Sequence, residues 1–97
     1  MCEPTATRTV EVTNPQGVHA RAATLIAEGV RRYHSQVALQ KGSMRVDGTE
    51  VLQILSLGAA PGDQVVLEAT GEDAHAVLDC LEELFTSNFH DEPSTPT

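Results

Sequence analysis

The chain has 97 residues, of which 40% are hydrophobic and 21% charged, and its formal net charge is −8. This length predicts one domain and excludes a two-domain architecture. No apolar run approaches the ~20 residues of a membrane span, so no membrane insertion is expected. The acidic charge disfavours nucleic acid as a partner, because Lys and Arg supply most of the affinity for phosphate backbones. The first residues lack a secretion signal, which predicts a cytoplasmic protein.

Cysteines and charges are distributed unevenly along the chain. Cys2 and Cys80 lie far apart with no ligand cluster around either, so we predict free thiols and neither a disulfide scaffold nor a zinc site. Residues 1–46 hold all six basic residues against three acidic ones, whereas residues 47–97 hold eleven acidic residues and no basic one. Such asymmetry bears on association surfaces and leaves the fold open.

Hydrophobic periodicity predicts the first half of the fold. Residues 8–13 alternate between apolar and polar side chains, as in a half-buried strand. Residues 14–17 read Asn-Pro-Gln-Gly and predict a turn. Residues 20–34 place apolar side chains at three- and four-residue spacing, which predicts an amphipathic helix. Residues 37–46 alternate on both sides of a Lys-Gly-Ser turn and therefore predict a hairpin.

The second half is predicted in the same way. Residues 51–57 form an apolar run that fits a buried strand or a short helix, and Gly58 favours the helix because glycine suits a helix end. A Pro-Gly turn at residues 60–63 precedes a strand that alternates through residues 65–69. Residues 74–85 carry apolar positions at helical spacing, with Asp73 as the predicted N-cap.

The resulting order is β-α-β-β-α-β-α. It predicts an α+β fold, a two-layer open-faced sandwich in which a four-stranded antiparallel sheet carries three helices on one face. The other sheet face should contact solvent. We assign residues 1–7 to a flexible N-terminus, residues 8–87 to the single domain, and the polar residues 88–97 to a disordered tail.

The chemically informative segment is the turn before the first helix. His19 directly precedes that helix, and Arg21 follows two residues later. The unpaired amides and positive dipole end of a helix start, together with a guanidinium, suit a phosphoryl group. They also favour a neutral imidazole, so His19 could act as a nucleophile. By spacing alone, a solvent-exposed cap or turn histidine is the commoner case.

Two segments resemble one family. Residues 17–24, Gly-Val-His-Ala-Arg-Ala-Ala-Thr, resemble the active-site signature of the HPr family, the histidine phosphocarriers of the phosphoenolpyruvate-dependent phosphotransferase system. Residues 51–58, Val-Leu-Gln-Ile-Leu-Ser-Leu-Gly, resemble its second hallmark region. The family pattern fits from about residue 8 to residue 85 without a gap. The fold of that family agrees with the element order above.

The resemblance implies a phosphoryl carrier that is a protein substrate and not an enzyme. His19 would accept a phosphoryl group on Nδ1 from phosphorylated enzyme I and pass it to a downstream acceptor. Arg21 would steady the phosphate, and the helix start at Ala20 and Ala22 would cradle it. No cofactor is implied. A transiently docking carrier is expected to be monomeric. The alternative is a regulatory binding module of the same fold that modulates a partner with little or no phosphoryl relay.

The family docks its partners through a shallow apolar surface. In this sequence the corresponding residues are Ala20, Thr24, Val51, Leu52 and Leu55. Plain core packing is the competing interpretation for the three residues of the short helix, since a helix on a sheet must bury one face. We expect it to hold for at least one of them and expect Leu52 to be the exposed member.

Two positions depart from the family pattern. Ala22 stands where the signature usually has proline, whose missing N–H would be unpaired at a helix start anyway; alanine loosens this turn slightly. Glu50 stands in place of the regulatory serine of many relatives, so kinase control by this route should be absent. Glu50 could imitate the phosphorylated state, but a simple acidic residue at a helix start is the favoured interpretation. Thr49 is a weak substitute for the serine, because one helical step turns its hydroxyl by about 100°.

The other histidines are weaker candidates. His34 is predicted at the end of the first helix, His75 in the first turn of the last, and His90 in the tail. None of them forms a pair with metal-ligand spacing, so we predict no metal site.

Overall fold

The helices and strands follow one another in the predicted order. The structure, a computed structural model, describes residues 4–90. Its elements are β1 (Thr5–Glu11), α1 (Ala20–Arg31), β2 (Gln36–Lys41), β3 (Met44–Asp47), α2 (Val51–Ser56), β4 (Gln64–Thr70), α3 (Ala74–Thr86) and a short 3-10 turn (Asn88–His90). The segment 51–57 is therefore a helix, as its closing glycine indicated.

The four strands form one antiparallel sheet in the order β1-β4-β2-β3. One face of this sheet carries buried side chains such as Val10, Leu39 and Leu67, against which the helices pack. The opposite face carries Thr9, Gln40 and their neighbours, which are exposed or half-buried. The predicted two-layer, open-faced arrangement is confirmed. No helix in the described part of the chain is long and apolar enough to cross a membrane.

Small residues on α1 face the core, where this helix packs against α2 and α3. Ala22, Ala23 and Ala27 are essentially inaccessible to solvent, and Ile26 is fully buried in the same hydrophobic core. Burying an aliphatic side chain such as Ile26 stabilises the fold by about 1.5–3 kcal/mol. The position of α1, and with it the loop that precedes α1, is therefore set by core packing.

The first strand lies two to three residues earlier than predicted. Residues 5–7, assigned to a flexible N-terminus, pair with residues 68–70 of β4, so that assignment was wrong for them. Residues 12 and 13 leave the strand because the Val12 amide donates to the Asp63 carbonyl and its carbonyl accepts from the Gly62 amide. Gly62 and Asp63 belong to the turn before β4, and the alternation of apolar and polar residues in 8–13 does not predict these hydrogen bonds. Residues 1–3 lie outside the described residues.

Helix α1 ends at Arg31 and not at His34. The His34 amide and the Ser35 hydroxyl both donate hydrogen bonds to the carboxylate of Asp73, which draws the chain away from the helix. These bonds hold the pKa of Asp73 below its ordinary value. Asp73 occupies the N-cap position of α3, as predicted, but its side chain makes no capping bond to that helix. It secures the connection after α1 instead.

The predicted tail also begins too early. Phe89 is buried and meets Phe85 edge-on at 4.8 Å between ring centroids. The Thr13 hydroxyl donates to Asn88 Oδ1 at 2.6 Å. One aromatic residue therefore extends the packed domain beyond residue 87, a contribution that the polar composition of the segment concealed. Residues 91–97 of the predicted tail lie outside the described residues.

Candidate functional site

The loop before α1 is fixed by close backbone contact with the α2–β4 connection. Gly17 has a φ of +68°, and a Cβ built on it would lie 2.6 Å from the Ala59 carbonyl oxygen. The Val18 amide donates to that same oxygen at 3.0 Å. The buried Asn14 side chain donates from Nδ2 to the Gly17 carbonyl at 2.9 Å. A glycine is required here for both the backbone angle and the space.

His19 is the N-cap of α1. Its backbone is extended (φ −96°, ψ −175°), and its carbonyl accepts the first helical hydrogen bond from the Ala23 amide at 2.8 Å. Its imidazole Nδ1 accepts from the Ala22 amide at 3.3 Å. An Nδ1 that accepts carries no proton, so its lone pair lies at the helix start. By spacing alone a solvent-exposed cap or turn histidine is the commoner case, and the ring does cap the helix, although His19 is half-buried.

The surroundings of this helix start favour an anion. The first turn of α1 contains no acidic residue, so no carboxylate of that turn offsets the positive end of the helix dipole. Arg21 lies in that turn, is exposed, and makes no hydrogen bond or ion pair to any residue in the range 4–90. None of its five N–H donors is engaged by the described residues, and a planar set of donors of this kind suits a phosphoryl group.

Helix α2 presents one large apolar side chain to solvent. Leu52 is 80% exposed, whereas Val51 and Leu55 are half-buried against the core and Ile54 is fully buried. The expected exposure of Leu52 is thus observed, together with partial core packing of its two neighbours. A leucine that exposed leaves apolar area uncovered on an otherwise amphipathic helix.

Helices α1 and α2 pack against each other, so the five residues of the expected docking surface lie on two neighbouring helices. Ala20 and Thr24 lie exposed on the first turns of α1, and the Thr24 hydroxyl donates to the Ala20 carbonyl at 2.9 Å. Near the other end of α1, Arg31 donates to the Thr49 carbonyl at 2.8 Å. This bond ties α1 to the loop that leads into α2.

Glu50 is the N-cap residue of α2, and its side chain makes no capping hydrogen bond. It is exposed, while its carbonyl accepts from the Ile54 amide at 3.0 Å. The neighbouring Thr49 hydroxyl and amide both donate to Asp47 Oδ1, and these bonds lower the pKa of Asp47. The hydroxyl of Thr49 is therefore engaged in a turn with Asp47.

The remaining predicted features lie apart from this site. His34 and His75 are exposed, Cys80 is a half-buried free thiol, and the side chain of His90 and all of Cys2 lie outside the described residues. Among the described residues, no group of His, Cys, Asp or Glu is arranged to hold a metal ion. One contact was not anticipated from sequence: the hydrogen bond from the backbone amide of Ala22 to Nδ1 of His19.

Comparison with known proteins gives one consistent family. A family model described as the PTS HPr component phosphorylation site matches residues 6–87. Phosphocarrier protein HPr of Treponema pallidum is 34% identical over 88% of this chain and 97% of its own length. Phosphocarrier protein NPr of Escherichia coli K12 is 33% identical over 91% and 99%. The crystal structure of HPr-C-His from Thermoanaerobacter tengcongensis superposes with a TM-score of 0.85 at 32% identity, over 90% and 98% of the two chains.

These matches cover nearly the whole chain and nearly the whole of each relative, so they confirm the resemblance carried by residues 17–24 and 51–58. HPr-type proteins are phosphocarriers that work with components of the phosphotransferase system, and they are not enzymes. The chain belongs to the HPr family of the phosphotransferase system.

Proposed function

We propose that the protein is a histidine phosphocarrier that accepts a phosphoryl group from phospho-enzyme I on His19 and passes it to a downstream acceptor. One observation carries the proposal: His19 Nδ1 accepts the Ala22 amide at the start of α1, and the nearby Arg21 makes no hydrogen bond or ion pair within residues 4–90. In a chain of another family, the same geometry would indicate only that the histidine caps a helix. The family supplies the chemistry, and it also favours the cytoplasm as the place of action.

The transfer step follows from this geometry. The Nδ1 lone pair attacks phosphorus, the bond from phosphorus to the donor atom breaks, and its electron pair returns to the donor. The proton on Nε2 stays, so the ring becomes a phosphorylated imidazolium. Arg21 and the amides of the first turn, including those of Ala20 and Ala22, neutralise the phosphoryl oxygens. Transfer to the acceptor is the same step in reverse.

Intact-mass spectrometry after incubation with phosphoenolpyruvate and enzyme I from the source organism tests this proposal. We expect a gain of one phosphoryl group that is lost on mild acid treatment, as for a phosphorylated histidine. Omitting enzyme I should abolish the gain. If the folded protein stays unmodified beside a related HPr that the same enzyme I phosphorylates, the carrier function fails and the regulatory binding module becomes the better account.

The docking surface is part of the proposal. Exposed Leu52, half-buried Val51 and Leu55, and the first turns of α1 at Ala20 and Thr24 would contact both partners, with the monomer as the working unit. Apolar area that helps to bind a partner is removed from water only in the complex.

Leu52→Asp is expected to raise the KM for this protein in the enzyme I reaction by about tenfold or more, because an interface would then have to bury a carboxylate. Its melting temperature should stay close to the parent's, since the side chain is 80% exposed. Val66→Asp, at an exposed apolar position on the open sheet face, is the matched control and should leave the KM unchanged. Equal effects from both would remove α2 from the docking surface.

Glu50→Ser tests whether this acidic residue imitates a phosphorylated serine. The side chain is exposed and makes no capping bond, so we expect the rate of phosphoryl transfer from enzyme I to stay within about twofold of the parent. Quenched-flow assays under single-turnover conditions measure this transfer rate. A rate that rises severalfold would show that Glu50 restrains docking as a permanent phosphoserine mimic.

A further inference from the structure

We infer that the backbone amide of Ala22 is a positioning group for the phosphoryl acceptor: it holds Nδ1 of His19 unprotonated and then donates to the phosphoryl group that Nδ1 receives. The inference deepens the proposed function and rests on it. It concerns the one position of the signature at which this chain has an N–H and the family usually has none.

The unphosphorylated protein shows the first half of this role. The Ala22 amide is the third in α1 and has no carbonyl partner within the helix, as expected at a helix start. It donates to Nδ1 at 3.3 Å in a partly buried setting. That contact requires the proton of the neutral ring to sit on Nε2, which leaves Nδ1 as the nucleophile. A proline at position 22 could not make the contact.

The second half follows from the position of the amide. Attack requires the Nδ1 lone pair, so the amide must release the ring as the bond to phosphorus forms. The phosphoryl oxygens then lie next to the released N–H, at the positive end of α1. A bond from an amide to an anionic oxygen is roughly twice as strong as one between neutral partners. The amide therefore stabilises the phosphorylated form more than the free form.

This asymmetry predicts a shift in the transfer equilibrium. Ala22→Pro is expected to lower the equilibrium constant for phosphoryl transfer from enzyme I to this protein by about fivefold, because the phosphorylated form loses the stronger bond. Proline is tolerated in the first turn of a helix, so the variant should fold. Ala22→Gly, which keeps the amide, should restore most of the lost equilibrium constant.

Two NMR readouts separate this inference from the carrier function. In the unphosphorylated protein, the ¹⁵N resonances of His19 report which ring nitrogen holds the proton. We expect a single form with the proton on Nε2 in the parent and in Ala22→Gly, and a mixture in Ala22→Pro. This readout needs neither enzyme I nor phosphate, so it stands even if the protein proves not to be a carrier.

In the parent itself, the amide proton of Ala22 should shift on phosphorylation by more than that of Thr24, which lies deeper in the helix. This comparison needs no variant and covers the case in which Ala22→Pro fails to fold. An unchanged tautomer in Ala22→Pro would overturn the positioning role. An unchanged transfer equilibrium, or an Ala22 amide that does not respond to phosphorylation, would overturn the stabilising role.

Discussion

His19→Ala is expected to abolish phosphorylation by phospho-enzyme I while the protein remains folded. Alanine offers no nucleophile, and His34 and His75 lie outside the first turn of α1, where the helix dipole and Arg21 favour an anion. The loss should be complete and not partial, because no other described side chain replaces Nδ1 at the helix start. Intact-mass spectrometry under the conditions that phosphorylate the parent measures it.

The variant should also lose about 1 kcal/mol of unfolding free energy, since the imidazole caps α1 and alanine is a poor N-cap. This small loss would leave the native fold populated, which urea unfolding can verify. His75→Ala, at an exposed position on α3, is the matched control and should be phosphorylated like the parent. Phosphorylation of His19→Ala to the parent's level would place the acceptor elsewhere.

Gly17→Ala is expected to destabilise the fold by about 2–5 kcal/mol. A left-handed backbone costs a residue with a Cβ about 1–2 kcal/mol, and overpacking adds about 1–3 kcal/mol. The new methyl would lie 2.6 Å from the Ala59 carbonyl oxygen, which is backbone and cannot rotate away. The loop must shift, and because His19 lies two residues later, the imidazole should leave its capping position.

Phosphoryl transfer to Gly17→Ala should therefore be slowed more than its stability loss alone explains, even at a temperature where the variant is folded. Gly42→Ala is the control that isolates the backbone term. Gly42 has a similar φ of +61°, but a Cβ there has no neighbour within 4 Å. It should lose only about 1–2 kcal/mol. Equal destabilisation and equal transfer rates in the two variants would show that the Gly17–Ala59 contact does not position the site.

The interior of each helix and strand could be predicted from the sequence, because its buried residues recur with the period of that element. The ends could not, since partners distant in sequence decide them. Residues 5–7 form a strand because they pair with β4. Helix α1 ends before His34, whose amide donates a hydrogen bond to Asp73. Phe89 shows the same limit, since its burial depends on Phe85 being in reach.

For the candidate site, the sequence identified the side chains and the helix start, but not the contact between the His19 ring and the Ala22 amide. His19 and Arg21 are identified by their positions in a motif, and a helix start after a glycine-containing turn predicts an anion-binding site. The replacement of proline by Ala22 reads in the sequence as a slightly looser turn. In the structure it supplies an amide that contacts Nδ1, a role that depends on the ring orientation of His19 and on no property of the alanine side chain.

Locating the phosphoryl group on the modified protein tests the central claim most directly. The protein, labelled with ¹⁵N in its histidines and phosphorylated through enzyme I, would be examined by phosphorus and nitrogen NMR. The account predicts one phosphoryl group, bonded to Nδ1 of His19, with the ring proton on Nε2. A phosphoryl group on Nε2 of His19 or on any other histidine would contradict it, because the start of α1 would then not be the acceptor site.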